Sequence, residues 1–128
     1  MVELNTELVT RTVLRHLAGI PELGTERVLL ENPDTAARFP CVVVSELLFR
    51  QRYGGACYDL SVKAEVWAKQ VFEAMHLSDL VRIRLRELNF CPSNPTPQLP
   101  DEITRTTRCG GYYECRWNAV TNTFEPNR

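Results

Sequence analysis

Residues 39–69 read FPCVVVSELLFRQRYGGACYDLSVKAEVWAK, and this stretch predicts a long β-hairpin. In its second arm, apolar and mostly polar residues alternate with the period of two that a strand with one buried face requires. The first arm has apolar residues on both sides, which is typical of a strand covered on both faces. Gly54 and Gly55 interrupt the pattern and provide the turn. Because a lone hairpin is not stable in water, the rest of the chain must cover it.

Two predicted helices supply that cover. The first runs from Asn5 to Ala18, where Asn5 or Thr6 can cap the first turn and Gly19 closes the last. The second and longer helix spans residues 70–89. Its apolar stripe follows the spacing of three and four residues that faces a sheet. The stripe consists of Val71, Ala74, Leu77, Val81, Leu85 and Leu88.

A second set of residues lies on the opposite side of the long helix. It consists of Phe72, His76, Leu80 and Ile83. A helix with apolar groups on two sides is not a plain surface helix. Either the first helix or a loop covers this set, or another subunit does, and the sequence leaves both interpretations open. These four residues are therefore the candidates for a subunit interface.

The last third of the chain is less regular. Cys91 to Pro100 contains four prolines, which predict an extended loop with polyproline character, either a connector or an arm that reaches a neighbour. Residues 101–108 form an edge strand or stay without regular structure. Gly110 and Gly111 are interpreted as turn glycines that open a final strand. Its inward face consists of Tyr113, Cys115, Trp117 and Ala119, and a turn and short tail follow.

The order of these elements predicts one α+β domain over residues 1–128. Its core is an antiparallel sheet of three or four strands, built on the long hairpin and packed against two helices. A short strand within residues 27–30 is the fourth candidate strand. A chain of 128 residues is of the size that forms a single domain.

The composition argues against several classes of partner. The net charge is −1, with 15 basic and 16 acidic residues, so we expect no general or sequence-specific binding to nucleic acid. No apolar run approaches the roughly 20 residues that span a bilayer, which predicts a soluble protein without a membrane contact or an export signal of its own. Five cysteines without a Cys-x-x-Cys pair predict reduced, mostly buried thiols rather than disulfides or a metal site.

No catalytic signature is visible in the sequence. It contains no phosphate-binding loop, nucleophile elbow, zinc-protease motif or dinucleotide fingerprint. We therefore predict that the protein is not an enzyme, has no catalytic residues and needs no cofactor. His16 is expected to make an ordinary packing or solvent contact, and the three arginines between 82 and 86 a solvated or salt-bridged surface.

Three segments together resemble one known family. They are residues 39–46 (FPCVVVSE), residues 62–69 (VKAEVWAK) with the helix directly after them, and residues 116–118 (RWN) in the closing strand. This arrangement is similar to that of the tail-completion or tail-terminator proteins of long-tailed bacteriophages, and the similarity extends over most of residues 39–122. The proline-rich segment and the threonine-rich segment after it depart from the family pattern.

The resemblance implies a structural role in the virion tail, with assembly in the host cytoplasm. Such proteins form a ring, usually of six copies, at the head-proximal end of the tail tube and join it to the head connector. The partners would be further copies of the chain, the tail-tube protein and the connector protein. Within the hairpin tip we predict that Arg50, Arg52 and Tyr53 contact a partner, since arginine and tyrosine are common interface anchors; a merely solvated turn is the alternative. The rival functions are a head-tail connector or stopper and a non-viral cytoplasmic binding module or small enzyme.

Overall fold

A computed structural model describes residues 4–33, 38–52 and 55–126, which form two helices on one six-stranded sheet. The helices are α1 (Thr6–Ala18) and α2 (Val71–Glu87), and a short 3₁₀ turn spans Thr25–Arg27. The strands are β1 (Val28–Leu29), β2 (Cys41–Gln51), β3 (Cys57–Ala68), β4 (Cys91–Asp101), β5 (Thr106–Asn118) and β6 (Thr123–Glu125). The α+β class is therefore confirmed.

The sheet is larger than predicted and of mixed direction. Its order is β1-β2-β3-β5-β4, and β6 pairs with the end of β5. β1 runs parallel to β2, whereas the other pairs are antiparallel. The prediction of an antiparallel sheet with three or four strands was therefore wrong in strand number and in the direction of β1. The number was too low because the proline-rich segment and the C-terminal tail both add strands to β5.

The hairpin forms from β2 and β3, and a bulge explains the irregular pattern of its first arm. Ser45 pairs with Lys63 and Leu48 pairs with Ser61, so two residues of β2 oppose one of β3. Glu46, in this bulge, has φ of 52°, a conformation that is uncommon for residues other than glycine. The extra residue shifts the alternation of inward and outward side chains by one position. Val44 and Leu47 therefore both pack toward the main core.

The main core lies between the two helices and one face of the sheet. Residues from α1 (Val9, Val13, Leu17) and α2 (Ala74, Leu77, Val81, Leu85) meet the inward residues of β2, β3 and β5. Asn5 caps α1 by accepting a hydrogen bond from the Leu8 N–H at 3.0 Å, as its side chain predicts. Val71 was assigned to the inward stripe but is 45% exposed, since it lies in the first turn of α2, at the margin of the sheet.

On the opposite face of the sheet, the described residues form a small apolar cluster. Cys41, Val43 and Trp67 form it, with Leu29 and Phe39 packed at its edge. The first half of β2 is therefore buried on both faces, but the prediction of such cover for the whole first arm was wrong, since Leu48 is 65% exposed. Beyond Ser45, the residues of β2 on this face become exposed.

The proline-rich segment is a strand, and its prediction as a loop was wrong. β4 pairs with β5 along its length, with two irregularities of register. Proline lacks the N–H that a ladder needs, but an edge strand uses only one of its two sides for pairing. The prolines are tolerated because β4 lies at the edge of the sheet.

The glycine pair lies inside β5, so its assignment as a turn was wrong. Gly110 pairs with Glu65 of β3 and Gly111 with Pro95 of β4. A Cβ atom at Gly110 would overlap the Ala64 carbonyl oxygen. Glycine is therefore present here because neighbouring backbones approach closely, which the sequence does not distinguish from a turn.

Candidate assembly surfaces

The outer face of α2 is the first surface with exposed apolar groups. Phe72 is 82% exposed, Ile83 is 48% exposed, and the His76 side chain is 67% exposed. Positions 72, 76 and 83 project on the side of the helix opposite to the buried stripe. Neither α1 nor any other described segment covers Phe72 and Ile83. We refer to Phe72, His76 and Ile83 as the outer face of α2.

Leu80 does not share this environment. It is partly buried and packs against the main core. The structure therefore brings together three of the four predicted interface residues and places the fourth at the margin of the core. Met75, which is 40% exposed, and Val71 extend the apolar surface along the first turns of α2. Their exposure follows from the orientation of the helix on the sheet, which the sequence alone does not give.

The polar neighbours of α2 are engaged in local contacts. His76 Nε2 lies 3.9 Å from a Glu22 carboxylate oxygen, and Arg82 lies 3.1 Å from Asp79. Arg84 donates a hydrogen bond to the Gly19 carbonyl oxygen at 2.9 Å and also contacts Glu87. The hydrogen bonds that Arg84 and His16 make to Glu87 lower the pKa of that carboxyl group. Arg82 and Arg84 thus belong to a salt-bridged surface.

The base of the hairpin tip is the second surface. The Arg50 side chain is 85% exposed, and its guanidinium lies 3.9 Å from Asp59. Arg52 lies closer to the same carboxylate, at 3.1 Å, and is 37% exposed. The third predicted contact residue, Tyr53, lies outside the described residues. Because Asp59 compensates one of the two arginines, the tip is less basic than the sequence of the turn indicates.

Charged side chains lie on the face of the sheet opposite the helices. We refer to this side of the sheet as the open face. The Tyr112 hydroxyl donates a hydrogen bond to Glu46 Oε2 at 2.8 Å, and Lys63 Nζ lies 3.6 Å from the same oxygen. This hydrogen bond raises the pKa of the Tyr112 phenol. Lys63 also contacts the buried Glu65 at 3.5 Å. Sequence reasoning missed this network, because β2, β3 and β5 bring together residues that are up to 66 positions apart.

A shallow cavity of about 360 Å³ lies beside this network on the open face. Leu48, Arg50, Asp59, Leu60, Ser61 and Glu114 line it. Its walls carry one basic and two acidic side chains. This pattern suits contact with a polar surface better than enclosure of an apolar ligand.

The five cysteines differ in their burial. Burial raises the pKa of Cys41 to about 11 and also raises the pKa of Cys115. Cys91 is exposed, and Cys57 and Cys109 are partly buried, so fewer thiols are buried than predicted. Within residues 4–33, 38–52 and 55–126, no group of three or more potential metal ligands is clustered. None of the described helices is long and apolar enough to cross a membrane.

Comparison with known proteins adds no assignment. No family model matches the chain, and no curated protein is significantly similar to it.

Proposed function

We propose that the protein is a tail-terminator subunit that forms a ring on the head-proximal end of a phage tail tube and joins it to the head. The observation that carries the proposal is the apolar outer face of α2, which a small domain exposes at a cost unless a partner covers it. The resemblance in the hairpin and the following helix supplies the class of assembly. The proposal includes the virion tail as location and the tail-tube and connector proteins as partners.

Ring formation requires two different surfaces on each subunit, because head-to-tail contacts are heterologous. The outer face of α2 provides one of them, with an aromatic anchor in Phe72 that is 82% exposed. Its apolar residues are rimmed by the Asp79–Arg82 ion pair, which is an arrangement typical of interfaces. The hairpin tip is a separate polar surface outside the ring contact, suited to contact with the tube or the connector through Arg50 and Arg52.

The first test is the mass of the assembled protein. Light scattering over a concentration series, with and without the tail-tube protein of the same phage or prophage, should show a species of six copies of the 14.7 kDa chain. Phe72→Glu combined with Ile83→Glu should abolish that species, because two carboxylates would be buried without partners. The matched control is Ile103→Glu with Val120→Glu, which changes two apolar residues that are 77% and 61% exposed elsewhere. A ring that persists in the Phe72→Glu, Ile83→Glu variant, or no ring in the wild type under either condition, would contradict the proposal.

A second test separates ring formation from partner contact. Arg50→Ser, Arg52→Ser and Tyr53→Ser together should leave the circular dichroism spectrum and the ring unchanged, because the two arginine side chains are exposed or partly exposed. The same variant should fail to join heads to tails in an in vitro assembly assay scored by electron microscopy. Normal joining would contradict the assignment of the tip as a contact surface. Binding to connector but not to tube protein would favour the connector or stopper function.

A further inference from the structure

The two edges of the sheet differ in how they are protected. At one edge, β4 carries Pro92, Pro95, Pro97 and Pro100, which lack the N–H groups that a further strand would need. At the other edge, β1 pairs only with Val42 and Val43 of β2. Among the described residues, nothing pairs with the outer side of β2 from Val44 to Gln51. Bulges and charged side chains can protect such an edge; β2 carries both, and the order of its charges indicates a specific partner rather than simple protection.

The hydrogen bonds of the hairpin indicate which residues face outward. The Arg52 N–H donates to the Cys57 carbonyl oxygen at 2.8 Å, so the backbone groups of Arg52 point toward the second arm. Since these directions alternate along a strand, Arg50 and Leu48 also face β3. Phe49 and Gln51 therefore present their N–H and C=O groups at the free edge.

The side chains along this edge would match those of a second copy of β2 that runs in the opposite direction. On the open face of the sheet, β2 carries an acid at Glu46, an apolar group at Leu48 and a base at Arg50. Leu48 is 65% exposed. An antiparallel two-fold pair centred on Leu48 places Leu48 against its own copy and Glu46 opposite Arg50 of the other copy, twice. In regular antiparallel pairs, directly opposite residues have Cβ atoms about 4.5–5.5 Å apart. Because Glu46 lies in the bulge, its ion pair with Arg50 would depend on the length of the two side chains rather than on this regular spacing.

Glu46 and Arg50 can each form this additional ion pair. The two intrachain contacts of Glu46 use Oε2, and its Oε1 has no partner among the residues that the structure describes. Arg50 lies 3.9 Å from Asp59, a carboxylate that Arg52 approaches more closely. The unpaired backbone edge and the self-complementary side chains are independent observations, and both indicate the same occupant.

We propose that the free edge of β2 pairs with the same edge of a second copy, which joins two sheets into one across a two-fold axis. The bulge at Glu46 limits the regular contact to a few residues on each chain. Such an interface is smaller than the roughly 1,200 Å² of a stable complex, so the dimer exchanges with monomer. The inference does not rest on the proposed function. Because Arg50 serves both contacts, pairing would compete with any partner at the hairpin tip.

Charge reversal tests the pairing without removing either strand. Glu46→Lys leaves only bases on the edge, and Arg50→Glu leaves only acids, so each variant should be monomeric where the wild type forms dimers. An equimolar mixture of the two variants should recover the dimer, because each acid again faces a base. Sedimentation equilibrium from about 10 µM to about 1 mM should detect this exchange as a shift of the average mass toward twice 14.7 kDa.

The matched control reverses an exposed ion pair on α1. Glu7 and Arg11 lie 3.0 Å apart with side chains 71% and 61% exposed, so Glu7→Lys and Arg11→Glu make the same changes of net charge away from β2. These variants should dimerise as the wild type does, and so should Phe72→Glu with Ile83→Glu. A wild type that stays monomeric at about 1 mM, a single Glu46→Lys or Arg50→Glu variant that dimerises as the wild type does, or a mixture that stays monomeric would overturn the proposal. A failure of the ring test would leave this result unaffected.

Discussion

Gly110→Ala is expected to lower the free energy of unfolding by about 3 kcal/mol, at the upper end of the usual cost of overpacking. The new Cβ would overlap the Ala64 carbonyl oxygen and lie 2.8 Å from the Glu65 Cα atom. Both atoms belong to the backbone of β3, which is held between β2 and β5 and therefore has little freedom to move. Urea unfolding followed by tryptophan fluorescence measures the change.

Gly111→Ala is the control for this prediction. Its Cβ would lie 2.8 Å from the Asn94 carbonyl oxygen and 3.1 Å from the Pro95 Cα atom, which are backbone atoms of β4. Because β4 is an edge strand with irregular register, it can shift outward, and we expect a loss of about 1 kcal/mol. An equal or larger loss at Gly111 would show that β3 is not the more rigid neighbour.

Phe90→Ala should have an effect of similar size, a loss of about 3–5 kcal/mol in the free energy of unfolding. Phe90 follows α2, is 1% exposed, and has its ring centroid 5.5 Å from that of Phe124. Phe124 in turn lies 4.8 Å from Trp117, measured between ring centroids. Removal of the Phe90 ring would leave a cavity where α2, β5 and β6 meet, and Phe124 would keep its contact with Trp117 but lose the one with Phe90.

The matched control makes the same substitution on the outer face of α2. Phe72→Ala should change the free energy of unfolding by no more than about 0.5 kcal/mol in the monomer, since Phe72 is 82% exposed. Thermal and urea unfolding at low protein concentration measure both variants. If Phe72→Ala proved as costly as Phe90→Ala, the aromatic side chain would be buried in solution, by a partner copy or by the fold.

The elements with a clear apolar period were predictable within a few residues. α1, the hairpin strands and α2 formed where the spacing of apolar groups and the cap at Asn5 indicated. These features report on local geometry, because a helix and a strand each impose their own period on the residues they bury. The inward face of β5 was equally predictable from Tyr113, Cys115 and Trp117, which are all buried.

The errors arose where the same residues fit two structures. Proline excludes the centre of a sheet but is compatible with either a loop or an edge strand, so only the pairing of β4 with β5 distinguished them. Glycine marks a turn or a close approach, and the position of β3 beside Gly110 decided between these. The candidate surfaces were likewise predictable in part. The apolar character of Phe72 and Ile83 was predictable, but the partial burial of Leu80 depends on how α2 lies on the sheet.

The sequence by itself determined the class of the fold, the two helices, the hairpin and the inward face of β5, because local periodicity and capping depend on residues close together in the chain. The tertiary structure alone decided the strand order, the mixed direction of the sheet, the network around Glu46 and Tyr112, and the contrast between a proline-protected edge and a free one. These features depend on contacts between residues far apart in the chain, such as the 66 positions between Glu46 and Tyr112. The physical reason is that long-range pairing is selected by the packing of whole elements, which no local pattern encodes.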